Sequence, residues 1–180
     1  KHLTEMMNGK IEVKSVVNVG TTFTITIPFD LHVSYEEEEQ KEEVTGTELA
    51  GKKVLLVEDN DLNMEIAEFI LKNAGADVTK AWNGKEAVDC FMETEEGTYD
   101  VILMDIMMPK LNGLDATRKI RSLKRLDAKT VPIIAMSANA FVEDMLNSKI
   151  AGMNMHLAKP LDETKLINAL KQCKKDERVN

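Results

Sequence analysis

The sequence of 180 residues predicts an α/β fold: a doubly wound, five-stranded parallel sheet with helices on both faces, preceded by a β-hairpin. Two observations carry the sheet. From Gly51 to about Lys174, short apolar runs alternate with segments of helical periodicity. The runs are apolar at successive residues, as in "KVLLV", which fits strands buried on both faces. A third carries the hairpin: in Lys1 to Val33 the apolar residues fall at every second position.

The hairpin segment opens with "HLTEMMN", which reads as the end of a helix stopped at Asn8-Gly9. In "KIEVKSV", Ile11 and Val13 alternate with charged residues. In "TTFTITIPF", Phe23, Ile25, Ile27 and Phe29 share one face and Thr22, Thr24 and Thr26 the other. Asn18 and Gly20 fall in the turn between them. From Ser34 to Ala50, "YEEEEQKEE" offers almost nothing to bury and reads as a solvated linker or extended helix.

In the α/β region, Lys53–Val57 is the first strand. Asp61–Gly75 spaces Leu62, Ile66, Ile70 and Leu71 for a helix that stops at Gly75. "DVTKA" is a second strand and "GKEAVDCFME" a helix. "DVILM" is a third strand and "GLDATRKIRSLK" a helix. "PIIAM" is a fourth strand and "FVEDMLNSKIAG" a helix ending at glycine. "MHLA" is a fifth strand. "DETKLINALKQCKK" is a last helix, with Asp162 as its N-cap.

Composition narrows the function. A formal net charge of −8 gives no electrostatic footprint for nucleic acid or an anionic membrane. No apolar run is long enough to span a bilayer, and "KHLTEMMNGK" lacks the continuous apolar stretch of a signal peptide. Cys90 and Cys173 lack metal-ligand spacing and read as reduced thiols of a cytosolic chain.

In such a sheet, ligands bind beyond the carboxyl ends of the strands. Glu58 and Asp59 end the first strand, Asp105 the third, Ser137 the fourth and Lys159 the fifth. Each has a structural reading of its own. Glu58 and Asp59 could cap the first helix and Ser137 the helix after strand four; Lys159 could be a surface lysine, and a lone aspartate can simply end a strand. Their convergence on one edge is the signal. Clustered carboxylates repel one another, and a hard divalent cation such as Mg²⁺ relieves that repulsion. A lysine and a hydroxyl beside them suit a phosphoryl group, and a carboxylate can accept one covalently. The cluster therefore reads as Mg²⁺-assisted phosphoryl transfer to Asp105.

Over about Lys52 to Lys174 the chain resembles the receiver domain of two-component response regulators, a flavodoxin-like fold. "LLVEDNDLN" resembles that family's acidic-pair segment, "DVILMDIMMPKLNG" the segment around its phosphorylated aspartate, "PIIAMSANA" its switch Ser/Thr segment and "GMNMHLAKP" its switch-aromatic and Lys-Pro segment. The resemblance implies that Asp105 accepts a phosphoryl group from a phosphohistidine. It implies that Glu58 and Asp59 are the acidic pair, and that Asp59, Asp105 and the backbone carbonyl of Met107 hold Mg²⁺. Ser137 would turn toward the phosphoryl group, Lys159 would pair with it, and Pro160 would follow a cis peptide. Asn112 stands where aspartate is common, and His156 occupies the switch-aromatic position; His156 would equally serve as a satisfied, partly buried residue.

The segment "GKIEVKSVVNVGTTFTITIPF" resembles the last two strands of a histidine kinase's ATP-binding domain, with Asn18 where the family usually has a glycine. The kinase core itself is missing from these residues, and His2 lacks the acidic residue and Thr-Pro of a phosphoacceptor site. The order is that of a hybrid histidine kinase: residues 1–33 the end of the ATP-binding domain, 34–50 an acidic linker, 51–175 the receiver. Too few residues follow Arg178 for a DNA-binding output domain. The implied partners are a kinase phosphohistidine donor and a histidine phosphotransfer protein, in the cytoplasm, whether or not the parent kinase is membrane-anchored. The receiver would promote its own phosphorylation and dephosphorylation; no nucleotide site is expected in the hairpin, whose open strand edge predicts weak homodimerisation through Lys10 to Phe29. Two alternatives compete. An aspartate-nucleophile phosphatase of the haloacid dehalogenase type would carry a second aspartate where Met107 stands. A non-catalytic interaction module would not need the acidic pair, Asp105 and Lys159 together.

Overall fold

The computed structural model describes residues 4–5, 8–17, 19–28, 47–138 and 142–173. The readings placed on His2, Asn18, Phe29, most of the acidic segment, Phe141 and the end of the last helix lie outside these residues. The chain divides into two compact units, Lys1–Gln40 and Lys41–Asn180.

The first unit holds the predicted hairpin. β1 (Lys10–Val16) pairs antiparallel with β2 (Gly20–Thr26), with Ile11 opposite Ile25 and Val13 opposite Phe23. This register puts Ile11, Val13, Phe23 and Ile25 on one face and Thr22, Thr24, Thr26, Lys10, Lys14 and Glu12 on the other. Asn8 adopts a positive φ of 54°, and Gly9 N–H donates to the Thr4 carbonyl, as the Asn8-Gly9 stop requires.

The second unit is the predicted sheet. Its elements are β3 (Lys53–Val57), α1 (Asp61–Asn73), β4 (Asp77–Ala81), α2 (Gly84–Glu93), β5 (Val101–Asp105), α3 (Gly113–Ser122), α4 (Asp127–Thr130), β6 (Ile133–Ser137), α5 (Val142–Ala151), β7 (Met155–Ala158) and α6 (Glu163–Gln172). All five strands run parallel in the order β4-β3-β5-β6-β7. The order reverses direction beside β3, which opens a crevice at the carboxyl ends of β3 and β5.

Each central strand feeds two cores. Val54, Leu56, Val101, Leu103, Ile134 and Met136 pack with Met64, Leu71, Leu166 and Leu170 of α1 and α6. Leu55, Val57, Ile102, Met104, Ile133 and Ala135 pack with Phe91, Ala116 and Ile120 of α2 and α3. This two-sided burial is why the strand runs carry no polar alternation. Leu49, in the segment read as linker, is fully buried in the first of these cores, so packing extends to the N-terminal side of Gly51.

Some details differ from the sequence expectation. In α1 the buried stripe is Met64, Ala67, Ile70 and Leu71, whereas Leu62 and Ile66 are exposed with Phe69. Helical spacing identified the helix but not its inner face, because an apolar row at 62, 66 and 69 runs alongside the buried one. α3 ends at Ser122 rather than Lys124, and the short α4 was not anticipated. Asp162 caps α6 as expected, accepting from Lys165 N–H at 2.8 Å. Both cysteines are free thiols.

Gly113 opens α3 against the end of β5, and its N–H donates to the Ile106 carbonyl at 2.9 Å. A Cβ there would stand 2.1 Å from the Asp105 carbonyl oxygen. The strand end and the helix start therefore touch backbone to backbone, and this contact sets where Asp105 points. Gly113→Ala should cost about 1–3 kcal/mol through this overlap. Urea unfolding measures it, and an unchanged midpoint would show that the backbone contact does not constrain the loop.

Candidate functional site

The strand ends deliver their polar residues to one edge. β3 hands over to Glu58, whose N–H donates to the Ala81 carbonyl at 3.1 Å and whose side chain is buried. Asp105 closes β5 and is 4% exposed. Ser137 closes β6, and Lys159 follows β7 with its N–H donating to the Ser137 carbonyl at 2.8 Å. A cis peptide joins Lys159 to Pro160, as the resemblance implied.

The α1 cap releases the acidic pair for other use. Asn60 is the N-cap, its side chain accepting from Asn63 N–H at 3.1 Å, so neither Glu58 nor Asp59 fills the capping role open to them in the sequence. Oxygens of Glu58, Asp59 and Asp105 lie within 4.8 Å of one another. Lys159 reaches across the group: its Nζ stands 2.5 Å from Glu58 Oε2 and 2.7 Å from Asp105 Oδ2. The other Asp105 oxygen, Oδ1, accepts from Met107 N–H at 3.2 Å. Ser137 Oγ and His156 Nε2 share a hydrogen bond of 2.7 Å; among the described residues, His156 Nδ1 is buried without a partner.

The electrostatics follow from this packing. Burial pushes the Asp105 carboxyl above its usual range; the Lys159 hydrogen bond opposes the rise and the charge of Glu58 adds to it. Burial works to lower the Lys159 ammonium, but its bonds to Asp105 and Glu58 outweigh burial and the group is raised. Three carboxylates against one ammonium leave a net charge of −2 when all are ionised. The donors are all hard oxygens, so the cluster fits a hard divalent cation.

The family model of the response regulator receiver domain matches residues 54–171. The chain belongs to this family. The receiver domain of the sensor histidine kinase PA1611 from Pseudomonas aeruginosa, solved with a magnesium ion coordinated in its active-site cleft, shares 41% identity with a TM-score of 0.62, covering 69% of this chain and 98% of that one. The aerobic respiration control sensor protein ArcB of Escherichia coli is 34% identical over 175 residues, which is 96% of this chain and 21% of ArcB. Hybrid signal transduction histidine kinase I of Dictyostelium discoideum is 37% identical over 122 residues, 67% of this chain and 7% of that protein. The chain thus spans a small part of the length of ArcB and of the Dictyostelium kinase. It carries the receiver domain of a two-component phosphorelay, with the five-stranded sheet that the sequence predicted.

Sequence reasoning named six of the side chains in this receiver's pocket and missed a seventh. Asn63 Nδ2 donates to Glu58 Oε1 at 3.0 Å. The signal was present in "LLVEDNDLN", where Asn63 lies in the first turn of α1 and five residues past Glu58.

Asp105→Asn should make the receiver more stable at neutral pH, because it removes a carboxylate whose charged form burial disfavours. A carboxyl whose folded-state pKa is raised costs stability above that folded value, and costs nothing below its ordinary value of 3.8. The gain should therefore shrink on acidification towards that ordinary value. Urea unfolding of both proteins across that range measures it; a variant less stable than the parent at pH 7 would contradict the assigned electrostatics.

Proposed function

We propose that the chain is the receiver end of a hybrid histidine kinase, and that Asp105 takes a phosphoryl group from a phosphohistidine and yields it to a histidine phosphotransfer protein. The observation that carries this reading is the buried Asp105 held 2.7 Å from Lys159, with two further carboxylates beside it at the sheet edge. The alignment with ArcB, which takes in 96% of the chain, supports reading residues 1–33 as the end of a kinase ATP-binding domain, 34–50 as a linker and 51–175 as the receiver. We place the module in the cytoplasm, where its phosphohistidine donor would be.

In the transfer, an Asp105 carboxylate oxygen attacks phosphorus as the phosphorus–nitrogen bond breaks. The bonding pair returns to the imidazole nitrogen, which takes up a proton, and Asp105 becomes an acyl phosphate. Asp59, Asp105 and the Met107 carbonyl, with Glu58 beside them, would hold Mg²⁺, which supplies positive charge to the phosphoryl oxygens when bound. Lys159, anchored by Glu58, keeps its ammonium where the added negative charge arrives. Met107 N–H holds one Asp105 oxygen and so orients the carboxylate. Water attack on the acyl phosphate returns Asp105 and inorganic phosphate.

Switching would run through the bond between Ser137 and His156. A Ser137 hydroxyl that turns toward the phosphoryl group gives up His156, so the two states differ in the partner of one hydroxyl and in packing on β6 and β7. Weak self-association through the open edge of the β1–β2 hairpin belongs to the same proposal.

Incubation with acetyl phosphate and Mg²⁺ should add one phosphoryl group by intact mass, and Asp105→Asn or chelation should abolish it. Equal labelling of Asp105→Asn would sink the assignment. With beryllofluoride as phosphoryl mimic, amide shifts should reach Ser137 and His156; shifts confined to Glu58, Asp59 and Asp105 would refute the switch.

A further inference from the structure

Glu58 is anchored at both ends. Lys159 Nζ meets its Oε2 at 2.5 Å, and Asn63 Nδ2 meets its Oε1 at 3.0 Å. A carboxylate only accepts, so the Asn63 nitrogen, not its oxygen, must face Glu58. The Asn63 backbone is itself fixed, since its N–H caps onto Asn60 Oδ1 at 3.1 Å. The contacts form one chain: α1 first turn, Asn63 amide, Glu58 carboxylate, Lys159 ammonium, Asp105 Oδ2.

We propose that Asn63 is a positioning residue of the site: its amide pins Glu58, and through Glu58 it fixes Lys159 and the carboxylate geometry that a divalent cation meets. Two physical features support the role. First, a lysine ammonium is a rotatable point charge on a flexible stem, so its place depends on what holds it. Glu58 with one free oxygen could swing with it; Glu58 held at both oxygens cannot. Second, the donor is neutral. Glu58 is 2% exposed, so the oxygen that Lys159 does not meet needs a partner of its own. A lysine or arginine would supply one but cancel a charge. An amide satisfies the oxygen and leaves the net −2 of the cluster for the cation. Partners one step behind a metal's ligands characteristically tune affinity in this way.

The inference rests on the reading of Glu58, Asp59 and Asp105 as a Mg²⁺ site, and the test separates the two. Mg²⁺ alone is titrated into the full chain and followed by the amide shifts of Asp59 and Asp105, with thermal melts to confirm folding. Asn63→Ala should weaken Mg²⁺ binding about 10-fold. In a Glu58→Ala background it should add no further loss, because Asn63 acts through Glu58. Glu65→Ala, exposed on the same helix, should leave the affinity within about twofold. Should Asn63→Ala not fold, Asn63→Ser takes its place in the same cycle. Unchanged affinity in Asn63→Ala, or an equal loss with and without Glu58, overturns the positioning role while leaving the metal site standing. Failure of the unmodified chain to bind Mg²⁺ overturns both.

Discussion

The structure depends on one half-buried ammonium. Lys159 bonds Glu58 and Asp105 at once, joining the ends of β3, β5 and β7 at the edge where the crevice opens. Without it, two buried carboxylates would face each other with no counter-charge, which low-dielectric surroundings make costly. With it, the cluster tolerates burial yet stays under-neutralised. That residual negative charge is the functional quantity. A site fully paired within the protein would have no use for a cation or for the phosphoryl group the cation accompanies.

The fold makes this arrangement available without strain at the carboxylates. Parallel strands buried on both faces must carry apolar residues along their length, so polar side chains are confined to the strand ends. The carboxyl ends of β3, β5 and β6 are adjacent in the sheet order, and β7 completes the row. Gly113 then lets α3 start directly against the Asp105 backbone, and Gly84 does the same for α2, where a Cβ would stand 2.4 Å from the Leu111 carbonyl oxygen. Close backbone approach at Gly113 thus fixes the direction of the Asp105 side chain, and that at Gly84 holds the start of α2 against the loop after β5.

Most of this was legible in the sequence because two periodicities and a few strand-end residues encode it. "KVLLV" followed by Glu58 and Asp59, and "VILM" followed by Asp105, state both the strand and the point where burial stops. What escaped was what periodicity cannot specify. The spacing of Leu62, Ile66 and Ile70 marks a helix, but α1 carries apolar residues on two neighbouring rows, and only packing against β3 and β4 selects Met64, Ala67, Ile70 and Leu71 as the inner one. The four residues of α4 are too few for a periodic signal. Gly113 and Gly84 announce close contact without naming the neighbour.

Asn63 shows the same division within the site. Its residue type and its place in the first turn are printed in the sequence, but asparagine there has two structural uses, capping and reaching back along the strand. Asn60 takes the first, which leaves the Asn63 side chain for the second. The direction of a helical side chain toward the preceding turn brings that amide back to Glu58. The cap and the pin are therefore coupled: the residue that starts the helix decides which amide is free to hold the carboxylate. The chemistry of the pocket in this way extends one helical turn beyond the residues that touch a phosphoryl group.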